Sequence, residues 1–172
     1  MAQMTKSEIK KFLMKDTFTG KLATVKKNGS PHVVPIWFVV EVNSRNRNKV
    51  RNIYFTTGGE SVKAKNIQRD GRVSICVDDQ TRPFSFVSIC GIAKLIPYRQ
   101  KEILKRATKI AERYMGKKNA RAYGERNRGE DEMLVRIIPT KIIAEKRCCY
   151  LRMYPFLISK YTQGEQIFLA AK

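Results

Sequence analysis

Apolar and polar positions alternate with period two through much of the chain and change to a helical period in three places. Residues 5–15 set Ile9, Phe12 and Leu13 at helical spacing behind Thr5 or Ser7 as the cap. Residues 20–27 alternate Leu22, Thr24 and Lys26 against Lys21, Ala23 and Val25, which predicts a strand. Asn28-Gly29-Ser30 follows, and Asn-Gly accepts the positive φ of a tight hairpin turn. Residues 32–42, rich in Val, Ile, Trp and Phe, predict one long strand. Pro35 within it calls for an edge, a bulge or an opening of the ladder.

After the polar loop 43–49, residues 50–57 predict a third strand, broken by Gly58-Gly59-Glu60. Residues 61–69 read as a short helix capped by Ser61 and ended by Asp70-Gly71. Strands follow at 72–78 and 84–96, the second bending at Gly91. Residues 98–115 carry Ile103, Ala107, Ile110, Ala111 and Tyr114 on one stripe, which predicts an amphipathic helix. Residues 116–129 read as irregular, and 133–144 as a last strand interrupted at Pro139.

Hairpin-length links dominate the first half, so a doubly wound parallel sheet is excluded. The order predicts a mainly β protein with peripheral helices, an antiparallel barrel or strongly curved sheet. The 172 residues suffice for one domain with its own core. That domain is expected over residues 1–146, with 147–172 a C-terminal extension. Tyr150, Leu151, Met153, Tyr154, Phe156, Leu157 and Ile158 in the extension need cover from the barrel or a partner subunit.

Charge narrows the partners. Thirty-five Lys and Arg against fifteen Asp and Glu give +20, spread over both halves of the chain. Such a surface favours polyanions: nucleic acid, anionic membrane, or phosphorylated and carboxylated small molecules. No apolar run reaches the ~20 residues of a membrane span. The first residues lack the apolar segment of a secretory signal. A cytoplasmic protein is therefore expected.

Several chemistries lack their residues. The chain holds one histidine, His32, and no CxxC or HExxH, so no metal site is expected. A Ser-His-Asp arrangement has no GxSxG to stand on, and Gly58-Gly59 is not followed by the Gly-Lys-Ser/Thr of a Walker loop. Cys76 and Cys90 read as small buried apolar residues, and the adjacent Cys148 and Cys149 as reduced thiols.

The segment 56–66, Thr-Thr-Gly-Gly-Glu-Ser-Val-Lys-Ala-Lys-Asn, remains. Hydroxyls end a strand, glycines permit close backbone approach, and Ser61 opens a helix whose first turn carries Lys63. A helix N-terminus supplies N–H groups and the positive dipole end. A unit-charge pair at ~4 Å near a surface is worth about 4 kcal/mol before desolvation. Local features alone fit a phosphate site and a capped surface helix equally.

Four stretches carry a resemblance: GKLATVKKNGSPHVVPIWFVV, IYFTTGGESVKAKNIQRDGRVSICVDD, FSFVSICGIAKLI and MLVRIIPTKIIAEK. Together they resemble the flavin-binding split β-barrel superfamily that includes pyridoxamine 5′-phosphate oxidase, and most nearly its subgroup of flavin/deazaflavin oxidoreductases that use coenzyme F-420. The resemblance spans about residues 8–146. Its most specific part is Thr57-x3-Ser61-x-Lys63-x2-Asn66 followed by Arg69-Asp70. It implies a six-stranded antiparallel split β-barrel, a homodimer, and a cofactor in a groove at the dimer interface. The positions matching Thr57, Ser61 and Lys63 would hold the cofactor phosphate, with Thr56, Lys65 and Asn66 beside them. The strand Val34, Pro35, Ile36 and Trp37 would line the ring system. The cofactor implied is F-420, with FMN the alternative, and hydride would pass to or from a small organic substrate. Lys26, Lys27, Arg51 and Lys65 are candidates for the anionic F-420 tail. The C-terminal signature of the oxidase that binds pyridoxal phosphate is not present.

Two other classes stay open. The basic stretch 98–128, with Tyr114 and Tyr123 interspersed, suits nonspecific nucleic-acid binding. A cofactor-free dimeric scaffold on the same fold is the other.

Overall fold

A computed structural model describes residues 2–96, 100–127, 129 and 131–148. In chain order the elements are β1 (Ala2–Gln3), α1 (Lys6–Leu13), β2 (Gly20–Val25), β3 (Pro31–Ile36), β4 (Val39–Val42) and β5 (Val50–Gly58). Then come α2 (Val62–Arg69), β6 (Arg72–Asp79), β7 (Ser85–Ile96), α3 (Gln100–Met115), α4 (Lys117–Arg126) and β8 (Glu132–Lys146). One antiparallel sheet takes the strands in the order β3-β2-β6-β7-β8-β5-β4, with β1 added to β8. The two ends of this order, β3 and β4, are consecutive in the chain and separated only by Trp37 and Phe38. The sheet thus curls until its edges meet across a two-residue seam.

The expected six strands become eight. The strand predicted over 32–42 breaks into β3 and β4 at the seam, and the short β1 joins Lys146 and Glu145 of β8. The break follows from what bonds the Phe38 backbone. Its N–H donates to the Tyr114 hydroxyl at 3.4 Å, and its carbonyl accepts from Arg113 Nη1 at 3.0 Å. Side chains at the end of α3 therefore serve the main-chain groups that a ladder neighbour would otherwise satisfy.

Alternation along the strands builds two cores. Leu22, Ile53, Phe55, Ile75, Val77, Val87, Ile89, Val135 and Ile137 fill the interior, with Leu13 of α1 packed among them. Val39, Tyr54 and Leu134 point the other way and meet Ile103 and Ile110 of α3. The helical stripe read from sequence is the buried one: Ile103, Ala107, Ile110 and Ala111 are all nearly inaccessible.

Local signals account for most boundaries. Thr5, not Ser7, caps α1, and Thr5 and Glu8 form a reciprocal capping box. Gly29 turns at φ 82° between β2 and β3. The predicted bend at Gly91 is a bulge: Cys90 pairs with Lys141 while Gly91 pairs with Pro139. The extra residue, Thr140, donates its hydroxyl to the Cys90 carbonyl at 3.1 Å. β8 therefore runs through Pro139 without ending. Residues 116–129, expected to be irregular, contain α4. This helix lacks an apolar stripe because it packs by small residues, Ala120 and Gly124. A Cβ on Gly124 would lie 2.2 Å from Thr108 Oγ1 of α3.

Cys76 is half-buried and burial pushes its thiol up. Cys90 is exposed, against expectation, because it lies on the face of β7 away from the interior, beside the bulge. Cys149 and the apolar residues 150–158 lie outside the described residues. No cluster of metal-ligating side chains occurs among the described residues, and no described helix is long and apolar enough to cross a membrane.

Candidate functional site

The end of β5 and the start of α2 form a polar ledge. Thr57 is buried, and its Oγ1 lies 3.0 Å from Ser61 Oγ. Ser61 Oγ accepts from the Ala64 N–H at 3.2 Å, capping the helix. Two hydroxyl protons serve this pair and one is shared between them, so one remains for an outside acceptor. The Val62 and Lys63 N–H groups open the same helix, where an anion is favoured. Lys63, half-buried, stands in this first turn. Hydroxyl and amide donors meet at one helix end, with Lys63 in its first turn, a donor set that suits an anion.

Two further contacts hold α2 in place. Asn66 is buried and donates from Nδ2 to Thr24 Oγ1 of β2 at 3.0 Å. Thr24 Oγ1 in turn lies 3.5 Å from His32 Nδ1 of β3, so a polar relay links helix and two strands. Arg69 adds bonds to the Val25 carbonyl and to Asn66 Oδ1. Asn66 thus positions the ledge from beneath, with both ends of its amide already engaged.

Thr56 and Thr57 are neighbours on a strand and face opposite ways. Thr56 shares its face of the sheet with Glu132, which sits opposite Gly58 at the start of β8. Burial pushes this carboxyl up, while Thr56 and the Lys63 charge pull it partly back. Lys65 points to Glu60 at 2.9 Å, an exposed pair that holds the Glu60 carboxyl below its ordinary value. Lys26 and Lys27 immediately precede the Asn28-Gly29 turn, and Arg51 is exposed on β5.

The second predicted group lies on β3 and the seam. β3 is an edge of the sheet, which is where a residue without an N–H is tolerated, as at Pro35. Val34 packs partly against the interior and Ile36 is buried. Trp37 is 40% exposed and stacks on Tyr114, the centroids 4.9 Å apart and the planes 2° from parallel. Arg113 caps this seam, donating to the carbonyls of Asp16, Lys15, Phe18 and Phe38. Arg106, on the same helix, is bound to Glu41 and Glu102, each at 2.9 Å. Two of the cations in the basic stretch are therefore committed within the fold.

Sequence reading missed Glu132, Arg113 and Tyr114 as neighbours of these groups. Glu132 comes opposite Gly58 only through the β5–β8 register, for which no local signal exists.

An antiparallel sheet whose two edges meet at a two-residue seam makes a barrel. A sequence model of the pyridoxamine 5′-phosphate oxidase family matches residues 5–144, and the chain belongs to that family. The conserved hypothetical protein Rv2991 from Mycobacterium tuberculosis is similar in structure, with a TM-score of 0.69 and 25% identity over 84% of this chain and 86% of that one. An F420 reductase shares the fold at a TM-score of 0.56 and 21% identity, covering 77% of this chain and 94% of its own. So does HutZ, the heme storage protein of Vibrio cholerae, at 0.59 and 19%, covering 80% and 92%. No curated protein sequence matches the chain significantly.

Proposed function

We propose that the protein is an oxidoreductase that binds a phosphate-bearing flavin-type cofactor, F-420 with FMN as the alternative. The observation that carries this reading is the Thr57–Ser61 hydroxyl pair at the N-terminus of α2, with Lys63 beside it. Lys63 balances phosphate charge. Thr57 and Ser61 share one proton between them and direct the other at a phosphate oxygen. Asn66 and Arg69 fix the helix that presents them. The backbone from Val34 to Trp37 lines the ring system, where an edge strand leaves its outer polar groups available. When bound, the cofactor supplies hydride transfer, to or from a small organic substrate. Val33, 59% exposed on the open edge, suits cover by a second copy of the chain in a homodimer. The subgroup resemblance and the fold shared with an F420 reductase favour F-420.

Equilibrium binding of F-420 and FMN to the wild type and Lys63→Ala, at moderate and high salt, tests this. Tight binding of one cofactor that Lys63→Ala weakens at least tenfold, and that largely survives high salt, supports it. Weak binding of both, abolished alike by salt, rejects it in favour of general polyanion attraction.

A further inference from the structure

Two cations stand opposite one another on the face of the sheet that α3 packs against. Lys94 of β7 and Arg136 of β8 are direct partners in the register. Both point away from the interior, which their neighbours Ala93, Val135 and Ile137 fill. Opposed residues on adjacent antiparallel strands have Cβ atoms about 5 Å apart, and like charges there destabilise the sheet. The other flank of Arg136 is Tyr54 of β5, over whose ring Arg106 of α3 lies at 4.0 Å. The carboxylates on this side do not balance the pair. Glu41 and Glu102 are each bound to Arg106 at 2.9 Å. Glu132 shares the face but stands four residues along β8 from Arg136, about 13 Å away.

Lys94 is exposed and Arg136 half-buried. Arg136 Nε is shut off from solvent and has no hydrogen-bond partner. Neither residue is paired with a carboxylate among the described residues. The guanidinium has thus given up part of its hydration with no acid in exchange. Nε alone among its nitrogens is both buried and unbonded, so its terminal nitrogens keep access to solvent. A planar guanidinium fork beside an ammonium matches an oxyanion, whose oxygens accept from the fork while the ammonium adds charge. An oxyanion seated there also removes the repulsion between the two cations. We propose that Lys94 and Arg136 form a binding site for a small oxyanion, the carboxylate or phosphate group of a ligand. Thr57 and Met133 lie on the opposite face of β5 and β8, so this site is separate from the ledge at α2 and does not depend on the cofactor reading.

The test titrates inorganic phosphate, succinate and chloride, at matched ionic strength, into the wild type, Lys94→Gln and Lys11→Gln. Lys11 is exposed on α1, and its replacement removes the same charge from elsewhere on the chain. The readouts are the Arg136 Nε–H signal in nitrogen–proton NMR spectra, protected from exchange by burial, and the thermal midpoint. Phosphate or succinate is expected to move that signal saturably and to raise the midpoint above its value in chloride. The tighter of the two identifies the group the site takes. Lys94→Gln is expected to weaken this binding about fivefold, and Lys11→Gln less than about twofold. In chloride alone Lys94→Gln should melt about 1–3 °C above Lys11→Gln, because one of two facing cations is gone. The tighter anion should close that gap. A signal that moves no more with either oxyanion than with chloride overturns the proposal, as it would if phosphate bound only at the α2 ledge. Binding that Lys94→Gln and Lys11→Gln weaken alike overturns it too. The wild-type titration needs no variant, so a poorly folded Lys94→Gln does not stop the test.

Discussion

The Tyr114 ring lies flat against Trp37, and its hydroxyl donates to the Phe18 carbonyl at 2.8 Å while accepting from the Phe38 N–H at 3.4 Å. One side chain therefore touches both residues of the seam and the loop that precedes β2. Arg113 beside it stacks over the Phe38 ring at 4.6 Å. The barrel is held at its open side by the last turn of α3 and not by strand pairing.

Removing only the hydroxyl separates these roles. Tyr114→Phe keeps the stack on Trp37 and leaves the Phe38 N–H without its partner in a fully buried residue. The expected cost is about 1–3 kcal/mol, read by urea unfolding. Trp37 is the only tryptophan, so its emission reports this seam directly. Tyr114→Phe should leave the folded emission near that of the wild type, whereas Tyr114→Ala should shift it to the red as the indole loses its neighbour.

Asn66 separates support from binding. Asn66→Ala leaves the buried Thr24 hydroxyl without its donor. A loss of about 1–3 kcal/mol in unfolding free energy is expected. Cofactor affinity of the folded fraction should fall far less than with Lys63→Ala. Binding titrations corrected for the unfolded fraction check this.

Glu8 gives a pH signature. Hydrogen bonding by Lys146, then by Thr5, holds its carboxyl at about 2 against an ordinary 4.5. A depressed acid stabilises the fold above its ordinary value and loses that contribution as pH falls through the folded one. The Tm difference between wild type and Glu8→Gln should therefore be constant above about pH 5 and shrink between 4.5 and 2. Thermal melts across that range measure it.

Gly91 is required by space. A Cβ there would lie 2.7 Å from the Ile138 carbonyl oxygen and 2.9 Å from an Ile137 methyl. The first contact is with backbone of the paired strand, which cannot rotate away. Gly91→Ala should destabilise by about 1–3 kcal/mol, as an overpacked core site does. Gly29→Ala, at φ 82° but with nothing within 4 Å, suffers from its conformation alone and is the control.

Features written locally are legible in the amino-acid sequence. Thr5 and Glu8 stand at capping-box spacing, Asn28-Gly29 makes its turn, and Ser61 caps the helix after the paired glycines. Thr57, Ser61 and Lys63 fall together because a few residues of chain suffice to bring them together. The break at Trp37-Phe38 is not legible, since apolar residues continue on both sides and the partner that bonds Phe38 is 76 residues away. α4 is hidden because its packing face is made of absent side chains, with Gly124 against Thr108. Asn66 looks like a ligand-binding polar residue in sequence, and only its burial against Thr24 reveals a supporting role. Glu132 depends on register alone.

The place of β8 in the sheet has a consequence for how the chain can be made. It lies between β7 and β5, so without it the strands form two separate groups, β3-β2-β6-β7 and β5-β4. During synthesis from the N-terminus, both groups emerge before residue 132, each with a strand edge that has no neighbour yet. Those two edges are a template for pairing with another copy until the final strand arrives. A nascent chain halted just short of Glu132 would then be far more prone to aggregate than one released after Lys146, with the 15 residues of β8 in place.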